Sequence, residues 1–425
     1  MANEAIQFLR AGVPGYHPGW GRGEYSSWQD EQLSWKKNCY VGDWSFLWDV
    51  VFEGPDALKL FSDTGINSLE NFAVGQAKHL VQCSSRGKVI ADGVLMRTGE
   101  NSFRTQSTTA MWSAFWAEKH GYDLSWRLED TFQFQVSGPT ALATSNAATG
   151  TDLSTIRFMR FGEVEIAGRP VRALRQGMAG EIGFEFHGAM ADAGAVLKAI
   201  LAAGAPHGIR RLGSRTAMIN HLEAAFPTGL WHYLVDMFAP ETEGYADFIA
   251  KNFDTWGVGP AMRGSFESDD LVDYLLSPYE LGWGKSVKFD HAFLGREALE
   301  AEAAGPRRSR VTLELHDEDV VEVYRSLFQE GEPLAFMEIP HPVRWTYWAD
   351  AVFLGNKRVG IAAAPGYSLH FRHMLALAFV ESEAAVPGTE VELLWGEPGS
   401  RQKRLRAVVA PAPYKTDRRR EGITL

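Results

Sequence analysis

The sequence predicts an α+β protein that ends in a β-barrel, and three observations carry the prediction. In "GEIGFEFHG" (180–188), Ile182, Phe184 and Phe186 alternate with Glu181, Gly183, Glu185 and His187. That period of two is the pattern of a strand with one buried face. The stretch "ADAGAVLKAILAAGAPHG" (191–208) follows, with Val196, Leu197, Ile200 and Leu201 on one stripe. It reads as an amphipathic helix ended by Gly204 and Pro206. Beyond residue 310 come "YWADAVFLGNKRVGIAAA", "MLALAFV", "TEVELLW" and "LRAVVA", short strands separated by turns. Such a series builds a small barrel or sandwich. Composition shifts at "EAAGPRRSR" (302–310), which places a boundary between a region 1–305 and a β-barrel domain 306–425.

The remaining elements follow from local signals. Ser26 or Ser27 caps a short helix within 21–38. Residues 52–67 read as strand, turn and helix, with Pro55 at the helix start and Gly65 at its end. Residues 84–107 are two strands around a turn at Gly99–Asn101. "SAFWAEKHG" (113–121) is a helix that stops at Gly121, and 164–177 is a hairpin. Gly177 and Gly180 mark a tight turn or a close backbone approach. The tail 414–425 reads as a loose end.

Composition bounds the function. The 425 residues are 45% hydrophobic and 22% charged, ordinary for a globular protein with full cores. A net charge of −11 argues against a nucleic-acid partner, because no basic excess exists to neutralise phosphates. Cys39 and Cys83 are too few for a disulfide framework or a zinc cluster and point to a reducing compartment. "MANEAIQFLRAG" lacks a basic start followed by an apolar run, and no stretch of 18 apolar residues occurs. A cytoplasmic protein with no membrane partner is expected. The 14 tryptophans, many before residue 130, serve either core or a pocket for a flat ligand.

No P-loop, G-x-S-x-G or H-E-x-x-H is present. "HFRH" (370–373) lacks nearby acidic or cysteine partners, so no metal site is expected. Five motifs in order are more informative: "DALKLFSDTGIN", "GKVIADGVL", "GMAGEIGFEFHG", "SPYELGWGKSVKFDHAFLGREAL" and "PGYSLHFRHMLALAFV". From about residue 35 to the end the chain resembles the folate-binding T-protein family, whose founding member is the glycine-cleavage aminomethyltransferase. Within it, "GSRTAMINHLE" and "LLWGE" are similar to the tetrahydrofolate-dependent O-demethylases of methoxylated aromatic acids, such as vanillate, syringate and dicamba. The glycine-cleavage pattern Gly-Tyr-Thr-Gly-Glu-Asp-Gly is replaced here by "GMAGEIG".

The resemblance implies a three-domain clover-leaf, with two discontinuous α+β domains in region 1–305, around a central folate channel. It implies tetrahydrofolate as methyl acceptor and a small methoxylated aromatic acid as donor, with no metal. Glu185 matches the glutamate that takes the pterin, whose adjacent N–H donors suit one carboxylate. Asp92, in "IADG", matches the aspartate near the reacting edge of folate. Arg215 is a candidate partner for the glutamate tail of folate, and Trp256 and Tyr279 are candidate flat walls. An aryl ether needs a proton donor at its leaving oxygen. Tyr16 and His17 in "PGYHPGW", and His232 and Tyr233 in "GLWHYL", are the candidates.

The chain also departs from its relatives. Phe46, in "VGDWSFLWDVV", stands where the family commonly carries a histidine. An arginine of the vanillate enzyme falls on "STT" (107–109), with Arg104 nearby. An apolar substrate pocket lined by Trp44, Phe46, Leu47, Trp112 and Trp116 is therefore expected, and with it a chlorinated or multiply methoxylated benzoate. Rival readings keep the fold with a methyl donor on sulfur or nitrogen, or with folate binding and no catalysis.

Overall fold

Strand Gly183–Ala189 forms where the alternation places it, but both of its faces are covered as far as His187. Glu185 and His187 are therefore buried rather than solvated. The reason is its position: it lies inside a six-stranded sheet, between Thr131–Ser137 and Arg169–Arg175. The computed structural model describes all residues except 1, 17, 18, 20, 178, 179, 255–259, 306, 307 and 422–425.

Two sheets interleave along the chain before residue 305. Tyr40–Asp43 enters the six-stranded sheet. The chain then leaves to build a five-stranded sheet from Asp49–Glu53, Ala77–Cys83, Val89–Arg97, Ser102–Gln106 and Ser125–Glu129. It returns at Thr131–Ser137. The third sheet closes on itself: Ser309–Leu315 pairs with both Lys403–Ala410 and His373–Val380. Six strands make this barrel and Gly366–Ser368 adds a seventh beside it. One apolar cluster joins all three regions, from Trp35 and Val81 through Ile219 and Tyr233 to Leu377.

Local signals acted as expected. Ser27 caps helix Trp28–Lys37 by accepting the Asp30 N–H at 3.2 Å. Helix Ala57–Thr64 ends at Gly65. Helix Ser107–His120 starts six residues before the expected segment and stops at Gly121, which takes the left-handed conformation. The described part of the tail, 414–421, is not loose. The Tyr414 and Lys415 N–H groups both donate to the Glu223 carbonyl at 3.0 Å, and the Arg418 N–H donates to the Gly180 carbonyl at 2.8 Å. Arg175 Nη2 grips the Glu421 carbonyl at 2.7 Å. Among the described residues no helix is long and apolar enough to cross a membrane.

Candidate active site

A cavity of about 630 Å³ lies where the three sheets meet. Its wall draws on the loop after Tyr40–Asp43, on strand Val89–Arg97, on residues 224–230 and 282–286, and on the tail. Trp44, Phe46 and Leu47 line it. Trp112 and Trp116 do not. Trp112 is fully buried in the core of the five-stranded sheet, 5.2 Å from the Tyr245 ring. Trp116 packs against His120, centroids 4.0 Å apart with the rings tilted, beside a separate surface cleft with Asp56 and Lys59. Position four apart on one helix turns both rings to the same core-facing side.

Asp92 stands mid-strand on the cavity wall rather than in a turn. A side chain at its neighbour Gly93 would meet Thr109 Oγ1 at 2.7 Å, so glycine lets the helix pack against this strand. Asp92 accepts from two groups: the Tyr233 hydroxyl at Oδ1, and His79 Nε2 at Oδ2, 2.9 Å away. Tyr233 is fully buried behind Asp92. Burial first, and then the Asp92 charge, raise its hydroxyl pKa well above the ordinary value, so it stays a phenol. His79 is on the wall, its ring 4.9 Å edge-on from Trp283.

Across the cavity His221 stacks on Trp44, centroids 5.5 Å apart at 19°. Its Nδ1 meets Thr228 Oγ1 at 2.9 Å, and its Nε2 has no partner among the described residues. Burial pushes its pKa down to about 3, which keeps the ring neutral. His232 lies deeper. Its Nδ1 accepts the Thr228 N–H at 3.0 Å, and burial holds its pKa well below the ordinary value. It does not reach the wall, and neither does Tyr16. Tyr16 is 62% exposed, on a two-residue strand with its ring under the Arg344 guanidinium. His17 and Trp256 lie outside the described residues.

Glu185 sits one side chain behind the wall. Its Oε1 accepts from Gln176 Nε2 at 2.9 Å and Gln135 Nε2 at 3.0 Å. Gln176 lines the cavity; Gln135 is directly opposite Glu185 on the neighbouring strand. Among the described residues Oε2 has only His187 Nε2, 3.6 Å away, beyond hydrogen-bond range. The turn beside it needs its glycines: a Cβ on Gly177 would collide with the Glu181 carbonyl at 1.6 Å, and Gly180 has φ +84°.

Other candidates are engaged elsewhere. Arg215 pairs with Glu24 and donates to the Ile339 carbonyl at 2.6 Å, tying the N-terminal loop to the barrel region. Arg104 is held by Asp49 at 2.8 Å and by Glu129. Tyr279 packs on the central cluster, and Trp283 takes the wall position instead. The cations that do line the cavity are Lys78, Lys285, Arg310, Arg419 and Arg420, the last two from the tail. Arg310 Nε has no partner among the described residues. No group of His, Cys, Asp and Glu able to hold a metal occurs among the described residues.

Sequence reasoning missed His79, His221, Gln135, Gln176 and Trp283. One signal was present: "TFQFQVS" alternates Gln133 and Gln135 with Phe132 and Phe134 just as the Glu185 strand alternates.

The family described as GCVT N-terminal domain matches residues 5–238. Syringate O-demethylase of Sphingobium sp. (strain NBRC 103272 / SYK-6) is 36% identical, over 97% of this chain and 94% of its own length. Sesamin methylene transferase of Sinomonas sp. (strain No.22) is 34% identical, over 92% of this chain and 89% of its own. The crystal structure of the glycine cleavage system aminomethyltransferase T from Bartonella henselae superposes with a TM-score of 0.67 at 17% identity, covering 98% of both chains.

Proposed function

This chain belongs to the GCVT family of T-protein-like enzymes, and from that premise we propose that it moves the methyl group of a methoxylated aromatic acid to N5 of tetrahydrofolate. One observation carries the reading. A single cavity joins an aromatic wall at Trp44, Phe46 and Leu47 to a carboxylate, Asp92, held between a phenol and an imidazole.

The residues present suit a folate. Phe226 and Trp283 give flat apolar walls. Glu185 has one oxygen fixed by two amides and the other without a hydrogen-bond donor among the described residues, which suits the paired donors of a pterin edge. Arg310, Arg419, Arg420 and Lys285 are the cations for the anionic tail, in place of Arg215.

When bound, tetrahydrofolate supplies a secondary amine that takes the methyl group: the aryl O–CH₃ bond breaks, an N–CH₃ bond forms, and the proton leaving nitrogen ends on the phenol oxygen. Asp92 is the acceptor for that proton. Asp92 returns it to the aryl oxygen, while Tyr233, buried behind it, donates to Oδ1 and holds the carboxylate in place. His79 orients the second Asp92 oxygen. Trp44 and Phe46 exclude water and align the ring.

Phe46 replaces a hydrogen-bonding residue with an apolar one, and Trp44, His221 and Leu47 extend that surface. It favours a chlorinated or multiply methoxylated benzoate, such as 3,6-dichloro-2-methoxybenzoate, over vanillate. An anaerobic assay of the protein, tetrahydrofolate and a panel of methoxybenzoates, read as 5-methyltetrahydrofolate, tests this. Product from an aromatic ether is expected, with the chlorinated or multiply methoxylated donors ahead. Vanillate turning over far faster than they do would overturn the substrate preference. Product only from sulfur or nitrogen methyl donors would overturn the ether reading itself.

A further inference from the structure

The tail reaches the folate side of the cavity by a second route. Lys415 is buried. Its Nζ donates to Asn220 Oδ1 at 2.5 Å. Asn220 Nδ2 donates to the Tyr40 hydroxyl at 3.1 Å, and that hydroxyl donates to Gln135 Oε1 at 2.5 Å. Gln135 Nε2 donates to Glu185 Oε1 at 3.0 Å. Four hydrogen bonds thus run in one direction from an ammonium on the tail to a carboxylate on the six-stranded sheet.

The direction is forced by the chemistry of the two ends. An ammonium only donates and an ionised carboxylate only accepts. Asn220 must therefore turn its oxygen to Lys415 and its nitrogen to Tyr40. Tyr40 must send its one proton to Gln135, which must present its nitrogen to Glu185. Tyr40, Asn220 and Gln135 are each about 1% exposed, so no water is at hand to relax the order. Bonds in such a dry chain strengthen one another. Remove the ammonium and the chain loosens from that end: Asn220 is free to flip, the Tyr40 proton can turn to it, and Gln135, its Nε2 still on Glu185, loses the donor that anchors its Oε1.

We propose that Lys415 is a positioning residue for folate: through Asn220, Tyr40 and Gln135 it fixes the orientation of Glu185, so that the other carboxylate oxygen is held ready for the pterin. The inference rests on the reading of Glu185 as the pterin ligand. It gives the tail a part in cofactor affinity beyond forming a wall.

The test is equilibrium binding of tetrahydrofolate to the full chain and to Lys415→Met, Tyr40→Phe and Glu185→Gln, with a melting curve for each. The 2-desamino-2-methyl analogue, which lacks the pterin amino group, is the second ligand. Lys415→Met is suited to the test because Glu223, 3.9 Å from the ammonium, keeps its bonds from Trp35 at 2.9 Å and Ser368 at 2.6 Å. Tyr40→Phe breaks the chain at its middle and leaves Lys415 in place. Both variants are expected to bind tetrahydrofolate about tenfold more weakly, the scale of one hydrogen bond to a charged group, and the analogue within about twofold of wild type. Unchanged tetrahydrofolate affinity in both, with Glu185→Gln impaired, would overturn the proposal and leave the Glu185 reading standing. Equal weakening of both ligands would also overturn it, because a general loss of structure does not discriminate. Unchanged affinity in Glu185→Gln would overturn the Glu185 reading and the proposal together.

Discussion

Asp92 and Glu185 are both carboxylates on strands beside one cavity, yet their surroundings differ in kind. Asp92 faces the cavity, and its donors are a phenol and an imidazole, groups that can give up and regain protons. Glu185 lies behind the wall, and its donors are two amides, which cannot. The residue type is nearly the same; the neighbours set the task. In the proposed function, titratable partners suit Asp92 to proton traffic and fixed amides suit Glu185 to holding a ligand.

The contrast breaks most sharply at Asp92. Asp92→Asn should lower turnover by roughly 10²–10⁴, the usual worth of a positioned acid–base group, with tetrahydrofolate affinity within about threefold of wild type. Stopped assays and binding isotherms on the same preparation check this. Tyr233→Phe should cost about 10² in turnover. Its deficit should be equal across a panel of ring-chlorinated ethers, because Tyr233 holds Asp92 and does not itself protonate the leaving oxygen. A deficit that shrinks for donors with more acidic phenols would put Tyr233 in the proton path.

The aromatic residues sharpen the same comparison between wall and interior. Trp112→Ala should destabilise the fold by about 3–5 kcal/mol, as large core truncations do, measured by urea unfolding. Trp44→Ala should instead raise KM for the aryl ether several-fold, with a smaller loss of stability. The smallest effect is on pH. The His221 pKa is about 3 in the folded chain, below its ordinary value near 6.5. Between those values the unfolded chain binds more protons than the folded one, so stability is full at neutral pH and falls as pH falls. His221→Phe should flatten the acid side of the stability profile by at most about 1.4 kcal/mol per pH unit.

What the sequence made legible was local. The Ser27 cap, the stop at Gly121 and the hairpin Phe161–Ile166 with Arg169–Arg175 each depend on a few neighbouring residues. Asp92 and Glu185 are singled out by motif resemblance, which preserves position. Their partners were not legible, because contacts distant in sequence supply them: Tyr233 lies 141 positions from Asp92, and Gln135 lies 50 from Glu185. Periodicity placed the strand at Gly183–Ala189 but not the second layer that covers its other face. Aromatic content did not separate Trp44, on the wall, from Trp112, in the core. The tail appeared loose because its anchors, Glu223 and Gly180, belong to other elements.

The most direct test of the account measures two quantities on two variants side by side: tetrahydrofolate affinity, and turnover of a methoxybenzoate at saturating tetrahydrofolate. The account predicts a crossed result. Asp92→Asn keeps affinity and loses turnover, whereas Glu185→Gln loses affinity by about tenfold or more and recovers most turnover at saturation. If both variants lost the two quantities in the same proportion, the division of labour between the carboxylates would be contradicted.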